Sequence, residues 1–126
     1  MEINIEQELQ DGIAAHKQGK LQEAERHYLS ILKSKPTHAD ANHNMGALLS
    51  GIGKFKETLP FFFKAISIDK KKEQYWISLI IVLIRLGRIS DARNVLSKAT
   101  INSSFKSDKI ISLRHQLHQS TKLDFF

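Results

Sequence analysis

Histidine is the residue type in this sequence best suited to chemistry, because imidazole binds metal ions and exchanges protons near neutral pH. The chain has six histidines and no cysteine. His115 and His118 stand three residues apart on a predicted helix, while His38 and His43 flank a predicted helix start. No cysteine or carboxylate completes a zinc-type ligand set around either pair. We therefore expect neither a metal site nor a bound cofactor.

Sequence motifs for catalysis are also absent. The glycines follow a repeat instead of forming a phosphate-binding loop, and no serine occupies a nucleophile motif. His16 and His27 are expected to be surface residues. We therefore do not expect the chain alone to be an enzyme.

Length and composition limit the classes of protein to which the chain can belong. A chain of 126 residues supports one domain, and the lack of cysteine excludes disulfides and thiol chemistry. The N-terminus is polar and acidic, which is not the pattern of a secretory signal. The longest apolar run, Tyr75–Ile84, is about half the roughly 20 residues that a membrane span needs. We expect a cytoplasmic protein without a membrane span.

The charge of the chain is basic, with a formal net charge of +6. Lys70, Lys71 and Lys72 form the only basic run, which we interpret as a solvated loop between repeats. A site for an anionic ligand at Lys70–Lys72 is the alternative. No nucleic-acid-binding motif accompanies the run, so nucleic acid is not an expected partner.

One fixed period organises the sequence. The same interval separates three glycines that are each followed by a base (Gly19, Gly53 and Gly87), and three acidic residues shortly after them (Glu23, Glu57 and Asp91). A fixed period of this length indicates one supersecondary unit repeated three times. Apolar residues at helical spacing surround each glycine, which accepts a positive φ at the end of a helix. We predict an all-α fold of three helix-turn-helix repeats at residues 5–38, 39–72 and 73–106.

The period continues for one more helix. Ile110, Leu113 and Leu117 lie one period after three large apolar residues of repeat three. Ser107 and Asp108 are suitable N-cap residues. We predict a closing helix at 107–120 that covers the apolar face of repeat three, so that one domain spans residues 1–120 and a tail spans 121–126.

Small residues and one proline affect how closely the helices of a repeat pack and where one of them begins. Gly12 and Gly46 allow two helices to approach closely, whereas Ile80 stands at the same place in repeat three and predicts a wider helix pair. Pro60 lies about one turn into the second helix of repeat two, where proline is costly. It predicts a late start or a local kink, with Phe61–Phe63 still packed.

The repeated pattern resembles the tetratricopeptide repeat, whose 34-residue signature combines large apolar residues, a small residue and an alanine at fixed places. Repeat two supplies Asn42, Met45, Gly46, Leu49, Thr58, Phe62 and Ala65; repeat three supplies Trp76, Leu79, Ile80, Leu83, Ala92, Leu96 and Ala99. The resemblance covers residues 5–106 and implies a right-handed superhelical stack.

A narrower resemblance concerns the run from Glu73 to Ala99. It is similar to the last repeat of N-terminal modules that precede bacterial methyltransferase, sulfotransferase or glycosyltransferase domains. This similarity implies a module that recruits substrate for a linked enzyme. No such domain follows in this sequence, so the chain is expected to be either a fragment or a stand-alone repeat protein.

The resemblance implies that the first helices of the repeats line a concave groove that binds an extended peptide or partner segment. The implied groove residues are the polar row Gln10, Asn44 and Ser78 together with His43, Ala47, Ile77, Ile81 and Ile84. Amide side chains both donate and accept hydrogen bonds, so they suit a peptide backbone. Positions at which some family members clamp a terminal carboxylate carry no lysine or arginine here, and only Asn44 fits that role.

Two expectations for the apolar helix around Ile77, Ile81 and Ile84 remain open. An exposed apolar patch would mark an interaction site, either for a peptide or for a second copy of the chain in a homodimer. An all-round apolar helix is more commonly buried, here by the closing helix. Protein binding is the predicted function, with self-association as its alternative.

Overall fold

The computed structural model describes residues 3–102 and 104–123, without the side chains of residues 102 and 120–123. These residues form seven α-helices and no β-strand: α1 (Ile5–Lys17), α2 (Leu21–Ser34), α3 (Ala39–Gly51), α4 (Phe55–Ile68), α5 (Glu73–Arg85), α6 (Ile89–Asn102) and α7 (Asp108–Leu123). The predicted all-α architecture of three helix pairs and a closing helix is confirmed. No helix within the described ranges has the length and apolar character needed to cross a membrane.

The three tight turns have the same geometry. Gly19, Gly53 and Gly87 adopt φ values of +76°, +81° and +73°, which side chains with a Cβ rarely adopt. The next residue donates its backbone N–H to the carbonyl five residues earlier, at 2.9 Å in each turn: Lys20 to Ala15, Lys54 to Leu49, and Arg88 to Leu83. The repeated glycine of the sequence is therefore a repeated helix stop.

The helices form two compact units, which divide after Asp69. In the first unit, α1 to α4 enclose an apolar core made of Leu9, Ala15, Ala24, Tyr28, Ile31, Ala41, Met45 and Leu48. A Cβ on Gly12 would lie 2.7 Å from Cε1 of Tyr28, and a Cβ on Gly46 would lie 2.5 Å from Cε1 of Phe62. Both glycines therefore permit the close helix pairing that was predicted.

The second unit consists of α5, α6 and α7. Its buried residues include Trp76, Leu79, Ile80, Leu83, Ala92, Leu96, Ile110, Leu113 and Leu117. Ile80 is fully buried. It fills the place that glycine leaves open in the other two repeats, and the wider pair predicted from it stays a prediction.

The start of α7 is held by a side-chain network. The hydroxyl of Ser107 accepts the backbone N–H of Ile110 at 3.3 Å and donates to the carboxylate of Glu73. The indole of Trp76 packs edge-on to Phe105 at 6.5 Å between ring centroids. The helix extends to Leu123, beyond the predicted end at 120, and residues 124–126 of the predicted tail lie outside the described residues.

For the helix containing Pro60, the predicted late start is wrong, and the local kink given as its alternative stays a prediction. Helix α4 begins at Phe55, and Pro60 lies within it on the exposed side. Thr58 and Phe62 are buried, and the Thr58 hydroxyl donates to the carbonyl of Phe55 at 2.6 Å. Burial of Thr58 and Phe62 stabilises α4 and offsets the free-energy cost of a proline inside the helix. Phe63, which was expected to pack, is 49% exposed.

Candidate functional site

A cavity of about 330 Å³ opens between α1 and α3 in the first unit, and we call it the α1–α3 cavity. It is lined by Ile13, His16, Lys17, Tyr28 and Asn44. The first three come from the last turns of α1, Tyr28 comes from α2 and Asn44 from the middle of α3. The cavity thus combines an apolar side chain, a cation and an amide.

Tyr28 and His16 form the polar back of the α1–α3 cavity. The Tyr28 hydroxyl lies 3.2 Å from Nδ1 of His16, and the two rings meet edge to face. Burial raises the pKa of Tyr28 above its usual value of 10.0, because the phenolate would be poorly solvated there. The phenol therefore stays neutral across the physiological range and supplies a fixed hydroxyl.

A second cavity, of about 420 Å³, opens between α5 and α7 in the second unit, and we call it the α5–α7 cavity. Its lining residues are Ile81, Ile84, Arg85, Lys109, Ser112, Leu113 and Gln116. Leu113 is buried at the floor and the two isoleucines are half-buried, whereas Arg85 and Lys109 are exposed. No residue of the described ranges pairs with either cation.

The two cavities occupy equivalent places in the repeat. Shifting four of the five lining residues of the α1–α3 cavity by two repeat periods converts Ile13 into Ile81, His16 into Ile84, Lys17 into Arg85 and Asn44 into Ser112, whereas Tyr28 shifts to Leu96, outside the α5–α7 cavity. All four resulting residues line the α5–α7 cavity. The isoleucine and the cation keep their chemical type. The same surface site is therefore built twice by the fold.

The charge of the chain is concentrated in the second unit. Residues 70–126 contain eleven Lys and Arg against four Asp and Glu, a net charge of +7. Residues 1–69 contain eight against nine, a net charge of −1. The basic character of the whole chain thus belongs to residues 70–126, where three of the lysines stand in the loop before α5.

A further basic cavity lies between α6 and α7. It measures about 340 Å³, and among its lining residues are Arg93, Arg114 and His118. The guanidinium of Arg93 donates to the carbonyl of Leu117 at 3.3 Å, which ties α6 to α7. Among the described residues, no acidic side chain lines this cavity either, in keeping with the charge of the second unit.

The structure separates the predicted binding residues into those that line a cavity and those that do not. Asn44 lines the α1–α3 cavity, and Ile81 and Ile84 line the α5–α7 cavity. Gln10 is exposed on α1 and Ala47 is half-buried on α3, and neither lines either cavity. A polar row from Gln10 through Asn44 to Ser78 stays a prediction.

Three predicted binding residues are engaged in packing or hydrogen bonds. Ile77 is only 6% exposed, so the expected exposed patch of three isoleucines is corrected to Ile81 and Ile84. His43 packs its ring against Phe62 at 5.3 Å between centroids. The hydroxyl of Ser78 accepts a hydrogen bond from the Gln74 amide at 3.2 Å.

Sequence reasoning missed the cations of the two cavities. Lys17, Arg85 and Lys109 are exposed, and an exposed lysine or arginine carries no periodic apolar signal. A signal for the first two was nevertheless present, because Lys17 and Arg85 are separated by two repeat periods. Lys109 has no such relation to either of them.

His16 and His27 are not the free surface residues that were expected, since both are half-buried and paired. Nδ1 of His27 lies 2.9 Å from a carboxylate oxygen of Glu8. Glu8, Asp11 and His27 place ligand atoms within 4.8 Å of one another, a spacing that a metal ion could bridge. Gln7 and Glu8 already provide hydrogen-bond partners for Asp11 and His27, so internal pairing accounts for this cluster.

The Lys70–Lys72 run forms the loop before α5, as interpreted from the sequence. The backbone carbonyl of Lys70 accepts the indole N–H of Trp76 at 3.0 Å. The ammonium of Lys72 lies 5.4 Å from the centroid of the Tyr75 ring. These two contacts therefore hold the loop against the start of α5.

Comparison with solved structures shows the same fold in other proteins, although no protein-family model and no curated protein matches the sequence. The tetratricopeptide repeat domain of Arabidopsis OM64 superposes with a TM-score of 0.82 at 20% identity, over 92% of this chain and 95% of that domain. The first repeat domain of Spaghetti (RPAP3), bound to the HSP90 peptide SRMEEVD, gives 0.84 at 14% identity over 94% and 93%.

A similar arrangement occurs within a larger enzyme. The O-GlcNAc transferase of Thermobaculum terrenum matches with a TM-score of 0.71 at 22% identity, over 79% of this chain but only 20% of that protein. The helix pairs, the repeated glycine turns and these structural likenesses together identify the fold of the chain as that of a tetratricopeptide repeat domain.

Proposed function

We propose that the chain is a protein-interaction module that binds extended peptide segments of a partner, with the α1–α3 cavity and the α5–α7 cavity as two separate sites. The observation that supports this most strongly is the equivalence of the two cavities under the repeat period. Each is an open depression beside first helices of the repeats, where an extended segment can lay successive side chains. Repeat proteins commonly bind through such extended surfaces.

The lining residues supply both parts of peptide recognition. Ile13 in the first unit and Ile81 and Ile84 in the second offer apolar contact to a partner side chain. Asn44 and Ser112 offer polar groups to its backbone. The partner backbone would thus be held without regard to sequence, and its apolar side chains would set specificity.

Self-association is less well supported than peptide binding. The patch proposed for it loses Ile77 to burial, and the two remaining isoleucines sit in a cavity instead of on a flat face. Recruitment of substrate for a linked enzyme is compatible with the proposal, since one fifth of a glycosyltransferase chain matches this fold.

A peptide display library panned on the immobilised chain tests the proposal, with individual affinities measured by fluorescence anisotropy. Ile81→Ala and Asn44→Ala should each weaken binding, the latter by about 1 kcal/mol, the usual net value of one hydrogen bond. The matched controls are Ile101→Ala and Asn94→Ala, both at exposed positions outside the two cavities. Failure of the library to yield any binder, or equal losses in variants and controls, would refute cavity binding.

A further inference from the structure

Building on the proposed function, we propose that the partner segment carries a carboxylate side chain next to an apolar side chain, and that the α5–α7 cavity recognises this pair. Arg85 and Lys109 contact the carboxylate, while Ile81, Ile84 and Leu113 enclose the apolar side chain. Lys17 and Ile13 form the equivalent subsite in the α1–α3 cavity.

The first support is the unpaired state of the two cations. Arg88, three residues after Arg85, is neutralised by Asp91 at 2.8 Å. Arg85 and Lys109 have no such partner among the described residues, and the α5–α7 cavity contains no acid. Two cations at one rim repel each other, and a bound carboxylate removes that repulsion while forming charge-assisted hydrogen bonds.

The second support is the mixed chemistry of the walls. A small inorganic anion would gain nothing from Ile81, Ile84 and the buried floor at Leu113, whereas an apolar side chain gains free energy from leaving water there. A cavity of about 420 Å³ also has room for more than one small group. The ligand that uses the whole surface is therefore an acidic and apolar peptide segment.

The third support is repetition. A cation follows an isoleucine by four residues in both cavities, as Ile13 with Lys17 and Ile81 with Arg85. Four residues is one helical turn, so each pair lies on one face of its helix. The cations Lys17 and Arg85 stand outside the positions at which the family resemblance would place a terminal-carboxylate clamp, because those positions carry Leu9, Ile13, Asn44, Gln74 and Ser78.

The experiment compares three capped pentapeptides by fluorescence anisotropy on the full chain: Gly-Asp-Leu-Asp-Gly, Gly-Asn-Leu-Asn-Gly and Gly-Asp-Gly-Asp-Gly. Gly-Asp-Leu-Asp-Gly should bind most tightly, because it alone carries both carboxylate side chains and an apolar side chain. The double variant Arg85→Gln/Lys109→Gln should weaken it by about fivefold to tenfold, the range for two partly solvated ion pairs. Raising the salt concentration should weaken the wild type and have little effect on the double variant.

Lys98→Gln is the matched control, because Lys98 is exposed on α6 and lines none of the cavities described above. Circular dichroism confirms that each variant keeps its helix content. Equal binding of the aspartate and asparagine peptides, or equal losses from the double variant and the control, would overturn the carboxylate assignment. Inorganic phosphate displacing the peptide at equal concentration would assign the cations to a free anion instead.

The outcomes separate this inference from the proposed function. Library peptides that bind the cavities without acidic residues would overturn the inference and leave peptide binding intact. A library that yields no binder would refute both the inference and the proposed function. Enrichment of acidic residues beside leucine, isoleucine or phenylalanine, lost on panning against the double variant, would support both.

Discussion

The hydroxyl of Ser107 donates a hydrogen bond to the carboxylate of Glu73, the residue one repeat period earlier. Glu73 is the first residue of α5, and Ser107 caps α7 by accepting the N–H of Ile110. One side chain thus satisfies a free N–H group at the start of α7 and joins that start to α5. This contact is one of those that hold the closing helix, and with it the α5–α7 cavity, in place.

Ser107→Ala should lower the free energy of unfolding by about 1–2 kcal/mol, the typical cost of losing an N-cap that also makes a second hydrogen bond. Urea unfolding followed by the fluorescence of Trp76 measures the loss, since Trp76 packs beside this junction. Ser90→Ala, at an exposed position in the first turn of α6, is the control. Equal midpoints for the two variants would show that the cap is not a stabilising contact.

Gly46→Ala should destabilise the first unit by about 1–3 kcal/mol, as overpacking usually does. The added methyl group would lie 2.5 Å from a carbon of the buried Phe62 ring, so the ring or the helices would have to shift. Gly51→Ala adds the same methyl group where no atom lies within 4 Å and should be neutral or slightly stabilising. Thermal unfolding by circular dichroism compares them, and a stable Gly46→Ala variant would contradict the close packing of α3 and α4.

Pro60→Ala should stabilise the protein by about 1–3 kcal/mol, because the proline lies inside α4 on the exposed side and lacks the N–H that the helix would otherwise use. Alanine restores this donor without losing buried surface. The check is the urea midpoint, with Lys64→Ala, also exposed on α4, as the comparison. An unchanged or lower midpoint would mean that the proline ring makes a favourable contact.

Stability should fall as the pH rises above 10.0, the ordinary pKa of a tyrosine. Burial raises the pKa of Tyr28 in the folded state, so the unfolded chain loses its phenolic proton first and becomes favoured as pH increases. At lower pH both states keep the proton and the residue contributes no pH dependence. Tyr28→Phe should remove part of this alkaline loss.

Absorbance at alkaline pH, which reports tyrosinate formation, measures the titration, and comparison with Tyr75→Phe assigns the signal to one of the two tyrosines. A Tyr28 that titrates at its ordinary pKa would contradict the burial of the phenol. The neutral-pH stability of Tyr28→Phe separately reports the contact between the Tyr28 hydroxyl and His16.

The helical architecture could be predicted because its signals are local. Gly19, Gly53 and Gly87 end helices wherever they occur, since only glycine adopts their positive φ without strain. Pro60 shows the limit of local reasoning. Proline does disfavour the interior of a helix, as the sequence argument assumed. Burial of the neighbouring side chains, which is a tertiary effect, nevertheless keeps α4 continuous from Phe55.

The candidate site was only partly predictable. Asn44, Ile81 and Ile84 were predicted because the family resemblance places them on first helices. Ile77 could not be judged from the sequence, because an all-round apolar helix does not reveal which of its faces is covered. Arg85 could have been found by comparing it with Lys17 across two periods.

The identical closure of the three glycine turns has a kinetic consequence. Each hydrogen bond from the residue after the glycine spans only five residues, and each turn brings together two helices that are neighbours in sequence. Chains dominated by such short-range contacts reach their transition state with little loss of loop entropy and fold in microseconds to milliseconds. Because all three turns are equivalent, folding can nucleate at any of them, and a mutation at one turn slows only the route that begins there.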